Sequence, residues 1–287
     1  MVVVSNSSND RQKVPREKQM ARSVCIRTAM AFATILVGLI QPAAAQSPSP
    51  AIGIVIMHGK GGSPTKHVAE LAASLEGKGY QVANLDMPWS AKREYDADVA
   101  AAEKQVEAAL DSLRARGAAK LFVAGHSQGG LFALYFGGRH PVDGIVAIAP
   151  GGSVASPIYR EKLGGAVSQA RQLVTDGKGD DKARLLDFES SKGTYPIVAT
   201  PANYLSWFDP DGAMNQTVAM KNVNPKVPVL FIAPKGDYPV LLRIKQSMFD
   251  ALPRHPLTRL YEPDATHLGA PSAALDEILL WTREVAR

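Results

Sequence analysis

Short apolar runs alternate with amphipathic segments from residue 53 to the last residues of the chain. Six runs have the length and continuous apolarity of buried strands, over residues 53–57, 80–86, 121–124, 144–149, 227–233 and 257–261. Between them apolar residues recur at helical spacing, as in the segment that carries Val99, Val106, Leu110 and Leu113. Because uninterrupted apolar strands are buried on both faces, the pattern predicts an α/β fold. We expect a mostly parallel sheet of about six strands with helices on both faces.

The alternation breaks over residues 151–225. Connections between consecutive strands are normally much shorter, so we interpret this stretch as a small inserted cap with two helices, over 157–175 and 201–208. Residues 46–150 and 226–287 then form the first and second halves of the core.

The first 45 residues form a leader of different character. Residues 20–45 have a positively charged start, an apolar run over 28–40 and an Ala-x-Ala ending, which together are typical of a secretory signal peptide cut after Ala45. The run is shorter than the ~20 residues that span a bilayer, so an uncleaved anchor is the less favoured alternative. Residues 1–19 are polar, which is unusual ahead of a signal peptide, so our hypothesis is that translation starts at Met20 and not at Met1. We therefore predict export, to the periplasm or the medium.

Composition and charge remove several classes of function. The chain has 287 residues, 46% of them hydrophobic, which is ordinary for a globular protein. Most of its net charge of +5 comes from the leader, since residues 46–287 hold 26 basic and 25 acidic residues. We therefore expect no nucleic-acid partner, and no stable membrane partner after signal cleavage. The only cysteine, Cys25, lies in the leader ahead of its apolar run, which excludes disulfides, thiolate chemistry and a lipid anchor in a processed chain.

The central apolar run is followed by a motif that indicates a catalytic function. This motif is Gly125-His126-Ser127-Gln128-Gly129. Gly-x-Ser-x-Gly between an apolar strand and an apolar helix is typical of a nucleophile elbow, in which small neighbours leave room for the helix to fold back over the strand. The helix also directs free N–H groups to the space above Ser127. We predict that Ser127 is a nucleophile; the alternative is a simple Gly-Ser turn.

A serine hydroxyl needs a base and a carboxylate that orients the base. Of the six histidines, His267 follows the last strand at the sheet edge where open parallel sheets bind ligands, and we predict it as the base. Asp237, at the end of the preceding strand, is the predicted carboxylate. Asp264 is its alternative, but it would have to fold back from the same loop to reach the imidazole.

Two backbone N–H groups must bind the oxyanion. We expect one from Gln128 and the other from Lys60, within the loop His58-Gly59-Lys60-Gly61-Gly62 after the first strand. The glycines of this loop also suggest a dinucleotide fingerprint. Pro64 occupies the position of its last glycine, however, and no acidic residue follows at the required distance, so we expect no nucleotide.

These residues, in the order serine, acid, histidine, resemble the alpha/beta-hydrolase superfamily over nearly all of residues 53–287. The resemblance implies a Ser127/Asp237/His267 triad, an acyl-enzyme intermediate, and neither cofactor nor metal. The chain looks like a short version that lacks the first two strands. Lipases, esterases, peptidases and thioesterases share these motifs, so the resemblance does not identify the subfamily.

The function that follows is an exported serine hydrolase that cleaves carboxylic esters, with a small-molecule acyl substrate. An aminopeptidase or amidase of the same fold is an alternative, for which Asp209 and Asp211 are the candidate ligands of a free amino group. A non-catalytic binding protein on a hydrolase scaffold is the alternative from another class.

Candidate substrate contacts are aromatic residues and one lysine. Trp89 and Lys92 lie in the loop after the second strand, where they either contact substrate or pack the loop. Trp207 belongs to an aromatic group of the cap that either lines an acyl pocket or forms the packing core of the cap.

Overall fold

The structure is a computed structural model that describes residues 50–287. Its helices and strands, in chain order, are β1 (Ile52–Met57), α1 (Ala69–Gly77), β2 (Gln81–Leu85), α2 (Val99–Ala115), β3 (Lys120–His126), α3 (Gln128–Gly137), β4 (Gly144–Ile148), α4 (Pro157–Thr175), β5 (Ala183–Glu189), β6 (Gly193–Ala199), α5 (Pro201–Phe208), α6 (Gln216–Lys221), β7 (Val229–Ile232), α7 (Pro239–Asp250), β8 (Arg259–Tyr261), α8 (Ala270–Ala273) and α9 (Leu275–Val285).

Six strands form one sheet in the order β2-β1-β3-β4-β7-β8, and all neighbours are parallel. This confirms the predicted α/β fold and the six-stranded sheet. The chain runs outward from β1 to β2 and then returns to β3 on the other side of β1, so the winding direction reverses between β1 and β3. At such a switch point the loops that follow the two strands diverge and leave a crevice.

Both faces of the sheet are buried, which explains the uninterrupted apolar strands. In β1, Val55 and Met57 belong to one apolar cluster, together with residues of α2 and α3. Ile54 and Ile56 belong to a second cluster on the opposite face, together with residues of α1 and α9. All four side chains are completely buried, so the switch-point crevice opens above a rigid double-sided core.

The segment between β4 and β7 contains α4, an antiparallel pair formed by β5 and β6, and the helices α5 and α6. The two predicted helices are confirmed at both ends, and each begins with a proline in its first turn, where the missing N–H costs no hydrogen bond. The β5-β6 pair and α6 were not predicted. Buried residues of the segment share the apolar cluster of α2 and α3, so the segment packs on that side of the sheet. Its treatment as a separate cap over 151–225 stays a prediction.

The predicted leader and signal peptide lie outside the described residues. Between residues 50 and 287, no helix combines the length and apolarity that crossing a bilayer requires.

Candidate active site

Ser127 lies at the turn between β3 and α3, at the switch point of the sheet. Its backbone is in the left-handed half of conformational space, with φ 55° and ψ −117°. A Cβ on Gly125 would lie 2.0 Å from the carbonyl oxygen of Gly129, and one on Gly129 would lie 2.5 Å from that of Met57. Both positions therefore require glycine, and the segment has the predicted elbow geometry. The strained turn holds the serine at the carboxyl edge of the sheet.

Asp237 and His267 meet at the same edge. Nδ1 of His267 lies 2.7 Å from Oδ1 of Asp237, and both side chains are buried. The two loops that carry them are held together by a parallel bridge between Gly236 and Thr266. Because the carboxylate accepts the hydrogen bond from Nδ1–H, the free basic nitrogen of the imidazole is Nε2. Asp264, the alternative carboxylate, is exposed and has no hydrogen bond to His267.

A cavity of about 630 Å³ opens at this edge, and both Ser127 and His267 line it. Among the hydrogen bonds of residues 50–287, none joins the Ser127 hydroxyl to His267. Catalytic hydrogen bonds are often long in free enzymes and shorten when substrate binds, so this arrangement is compatible with proton transfer between the two groups.

The loop after β1 is held by hydrogen bonds to the loop after β2. The Trp89 indole donates to the carbonyl of His58 at 2.8 Å, and the N–H of Gly61 donates to the carbonyl of Trp89 at 2.9 Å. In the described part of the chain, the backbone N–H groups of Lys60 and Gln128 have no hydrogen-bond partner, and both residues line the cavity. Two free donors beside Ser127 suit an oxyanion.

The predicted substrate contacts of Trp89, Trp207 and Lys92 are corrected by the structure. Both indoles are 1% exposed, their rings pack edge to face at a centroid distance of 5.3 Å, and neither lines the cavity. Large apolar rings gain most by leaving water, and this pair joins the core beside Phe132. Lys92 is exposed and also lies outside the cavity lining.

Sequence reasoning missed the apolar wall of the cavity, which is formed by the first turn of α4, the first two turns of α7 and the loop after His267. Its members are Pro157, Ile158, Val240, Leu241, Ile244 and Leu268. Three of them, Ile158, Val240 and Leu268, are at least 39% exposed, an unusual state for large apolar residues. The wall gives an acyl chain an apolar surface beside Ser127.

The charges around the cavity are mainly positive. Its one lining carboxylate, within the described residues, belongs to Glu189, which pairs with Lys192 at 2.8 Å. Asp209, proposed from the sequence as a ligand for an amino group, instead pairs with Arg171 at 2.9 Å and is not part of the lining. Asp211 is exposed and also lies outside the lining. The two candidate amine ligands are therefore not at the site.

No group of three or more histidine, cysteine or acidic side chains within residues 50–287 is placed to hold a metal ion. The expectation that the protein uses no metal and no cofactor stays a prediction.

A serine on a nucleophile elbow at the switch point of a parallel sheet, with an aspartate-histidine pair beside it, defines an alpha/beta hydrolase. The chain belongs to the family described as serine aminopeptidase, S33, whose model matches residues 48–192. The protein is therefore a hydrolase, which removes the non-catalytic scaffold from consideration. No curated protein has significant similarity to the chain.

Solved structures with the same fold include several lipolytic enzymes. A structure reported with the metagenome-derived lipolytic enzymes LipS and LipT has 18% identity and a TM-score of 0.56, and the match covers 82% of this chain and 95% of that one. The monoacylglycerol lipase of Paleococcus ferrophilus has 20% identity and a TM-score of 0.57, and the match covers 81% of this chain and 94% of that one. A soluble variant of the Saccharomyces cerevisiae monoglyceride lipase has 16% identity and a TM-score of 0.55, and the match covers 82% of this chain and 87% of that one. At these identities the comparison establishes the shared fold.

Proposed function

We propose that this protein is a serine hydrolase that cleaves carboxylic esters of small-molecule acyl substrates through an acyl-enzyme. The observation that carries the proposal is the 2.7 Å contact between His267 and Asp237 at a cavity that Ser127 also lines. A buried aspartate fixes the imidazole with Nε2 free, which is the state that a general base needs.

In the proposed reaction, Nε2 of His267 takes the hydroxyl proton as Oγ of Ser127 forms a bond to the acyl carbon. Asp237 stabilises the imidazolium, and the N–H groups of Lys60 and Gln128 bind the negative oxygen. The tetrahedral intermediate then expels the alcohol, which receives the proton from His267. A water molecule, deprotonated by the same nitrogen, then attacks the acyl carbon. The bond from that carbon to Oγ breaks, Oγ takes the proton back from His267, and the acid is released.

Ester cleavage fits the cavity better than cleavage next to a free amino group. A peptidase that selects a positively charged amino terminus needs an unpaired acidic group near the scissile bond. Glu189 is the carboxylate at the cavity, and Lys192 already neutralises it. The apolar wall offers instead a surface for a hydrocarbon acyl chain.

The aminopeptidase or amidase stays the second candidate because the family model is described as a serine aminopeptidase. Glu189 lies at the cavity and would serve an amino group if the substrate displaced Lys192 from it.

The proposal includes export. It is supported by residues 20–45, which have a positively charged start, an apolar run and an Ala-x-Ala ending, as secretory signal peptides do. Expression of the full chain in a bacterial host, followed by cell fractionation and mass analysis, tests this: an exported product that begins at Gln46 is expected, and a cytoplasmic product that retains residues 20–45 would refute it.

Two measurements test the activity. A fluorophosphonate probe should label the wild-type protein and leave Ser127→Ala unlabelled, since the probe reacts only with an activated serine. Absence of labelling, or equal labelling of both, would refute a serine hydrolase. A panel of p-nitrophenyl esters and aminoacyl p-nitroanilides then separates the two candidates: we expect kcat/KM to be higher for the esters, and a preference for the anilides would support the aminopeptidase.

A further inference from the structure

A buried carboxylate in β5 takes no part in the proposed chemistry. Asp187 is 1% exposed, yet its two oxygens accept four hydrogen bonds. Oδ1 accepts from Nζ of Lys60 at 2.5 Å and from the N–H of Phe188 at 2.6 Å. Oδ2 accepts from the hydroxyls of Tyr95 at 3.1 Å and Tyr195 at 3.0 Å. An ionised group so deep in the protein is stable only because its hydrogen-bonding capacity is filled.

The ion pair with Asp187 fixes the side chain of Lys60. Nζ of Lys60 also donates to the carbonyl of Phe188 at 3.3 Å and lies 5.1 and 5.3 Å from the ring centroids of Tyr159 and Phe208. Burial lowers the pKa of Lys60, but the charge and hydrogen bond of Asp187 act together with Tyr159 to raise that pKa above its ordinary value, so the residue is a cation. The ammonium group is thus enclosed by side chains of the segment between β4 and β7.

Lys60 is the one long side chain in a loop whose other members after His58 are glycines. Glycine places little restriction on the backbone, so the loop depends on external contacts to keep its N–H groups in one direction. The contact between Lys60 and Asp187 joins residues 127 positions apart, which makes a strand of the inserted segment the anchor of this loop.

The second oxyanion residue contacts the same group of side chains. Gln128 is 3% exposed, and its amide Oε1 lies 3.4 Å from the hydroxyl oxygen of Tyr95. That hydroxyl is also 3.1 Å from Oδ2 of Asp187, so its one proton is shared between the carboxylate and the amide oxygen. The side chains of Lys60 and Gln128 therefore both contact one buried network centred on Asp187.

We propose that Asp187 is a positioning residue for the oxyanion hole, which fixes the backbone N–H groups of Lys60 and Gln128 through the side chains of Lys60 and Tyr95. The inference rests on the proposed function, in which these two N–H groups bind the developing negative oxygen. Because that charge exists only in the transition state, loss of Asp187 should lower kcat and leave KM nearly unchanged.

The test compares Asp187→Asn with Asp143→Asn. Asp143 forms a Lys–Asp pair with Lys120 at 3.0 Å, at the opposite edge of the sheet where β3 begins, and so controls for the loss of one carboxylate from a Lys–Asp pair remote from the site. With active sites counted by fluorophosphonate labelling, kcat of Asp187→Asn for p-nitrophenyl butyrate should fall about 10- to 100-fold with KM within about threefold. Asp143→Asn should keep the wild-type kcat. A kcat of Asp187→Asn within twofold of wild type would overturn the proposal.

Inhibitor binding supplies a readout that a purely structural role would not change. A trifluoromethyl ketone forms a tetrahedral oxyanion with the serine, whereas the matching unfluorinated ketone binds in the cavity largely without that adduct. Asp187→Asn should weaken the fluorinated inhibitor by the same factor as kcat and the unfluorinated one by less than about threefold. Equal losses for both ketones would assign Asp187 a structural role and overturn the proposal.

Because Asp187→Asn leaves Lys60 buried without a counterion, this variant can fail to fold. If it does not fold, a comparison of kcat between Tyr95→Phe and Tyr195→Phe tests the proposal instead. Each variant removes one hydroxyl from Oδ2 of Asp187, but only the hydroxyl of Tyr95 also contacts Gln128. The kcat of Tyr95→Phe should be at least threefold below that of Tyr195→Phe; equal values of kcat would overturn the proposal.

The outcome for Ser127→Ala separates this inference from the proposed function. Wild-type labelling that disappears in Ser127→Ala, together with unchanged kcat in the Asp187 and Tyr95 variants, refutes the positioning role alone. Labelling that persists in Ser127→Ala refutes the serine hydrolase, and the positioning role with it.

Discussion

Nε2 of His126 donates a hydrogen bond to the backbone carbonyl of His267 at a distance of 2.9 Å. The residue next to the proposed nucleophile thus holds the backbone of the proposed base, although its own ring makes no hydrogen bond to Ser127. Since a carbonyl can only accept, the proton of this imidazole lies on Nε2, and Nδ1 is buried without a partner within residues 50–287.

Removal of this donor should disturb both stability and catalysis. His126→Phe leaves the buried carbonyl of His267 without a donor, and we expect the free energy of unfolding to fall by about 1–3 kcal/mol. We also expect kcat for p-nitrophenyl butyrate to fall roughly tenfold, because the base loses its fixed position. The amide nitrogen of His126→Gln can replace Nε2 as a donor. This variant should therefore lose less stability, measured by urea unfolding, and less kcat, measured by steady-state kinetics. Equal losses in the two variants would contradict the positioning of His267 by this hydrogen bond.

The same histidine should make the folded state sensitive to acid. Burial, and the neighbouring His267, lower the pKa of His126 to about 3 from its ordinary value of 6.5. Between these two pH values the unfolded chain binds a proton that the folded chain does not. Stability therefore rises with pH across this window, and the contribution is complete above pH 6.5.

Urea unfolding at several pH values measures this effect. From pH 6 to pH 4 the wild type should lose stability relative to His126→Gln by roughly 1.4 kcal/mol per pH unit, and above pH 7 the difference between the two should be constant. Parallel stability curves from pH 4 to pH 8 would show that His126 is not the group responsible.

The choice between the two candidate carboxylates gives a prediction with a built-in control. Asp237→Asn removes the charge that orients His267, and kcat should fall about 10³- to 10⁴-fold with KM little changed. Asp264 lies in the loop that carries His267, but it is exposed and makes no hydrogen bond to the imidazole. The kcat of Asp264→Asn should therefore stay within about twofold of the wild-type value. Active-site titration must accompany the kinetics, so that lost protein is not counted as lost activity. A larger effect at Asp264 would reverse the assignment.

Glycine at the elbow should be indispensable, whereas glycine elsewhere is not. A methyl group on Gly125 meets backbone atoms of Gly129 and Gly130, which belong to the following helix and cannot move aside. We expect Gly125→Ala to destabilise the protein by about 3 kcal/mol or more, or to prevent folding. Gly165 lies within α4 with open space at its Cβ position, and Gly165→Ala should raise stability by about 0.5–1 kcal/mol. Thermal unfolding of both variants measures the contrast, and similar melting temperatures would contradict it.

The sequence predicted best those features that depend on local pattern and chain order. The six strands follow from apolar runs, and the elbow follows from the steric demand for Gly125 and Gly129. Asp237 and His267 follow from their positions after consecutive strands of a parallel sheet, since such positions share one edge.

The features that the sequence did not predict depend on contacts between distant segments. An aromatic residue in a loop or a helix has the same pattern whether it lines a cavity or packs in the core. The sequence therefore left both possibilities open for Trp89 and Trp207, and in the structure both pack in the core. In β5 apolar and polar residues do not alternate regularly, and β6 contains Pro196, which is unfavourable within a strand. Neither segment therefore has the sequence pattern of a strand. No spacing rule connects Lys60 with Asp187, because their contact exists only once the inserted segment is in place.

The pairing of Glu189 with Lys192 predicts how the proposed preference for substrates without a free amino group can be changed. Lys192→Met removes the cation that neutralises the one carboxylate among the described residues that line the cavity, and so frees Glu189 to bind an ammonium group. We expect kcat/KM for an aminoacyl p-nitrophenyl ester to rise about two- to fivefold relative to an acyl ester of the same length without the amine, a small factor because the pair is partly exposed to water. Lys66 also lines the cavity but is not paired with Glu189, and Lys66→Met controls for the loss of one positive charge. Its selectivity should shift less than that of Lys192→Met, and the double variant Lys192→Met with Glu189→Gln should return to the wild-type ratio. If the two lysine variants have the same selectivity, the preference depends on the overall charge of the cavity and not on the masking of Glu189.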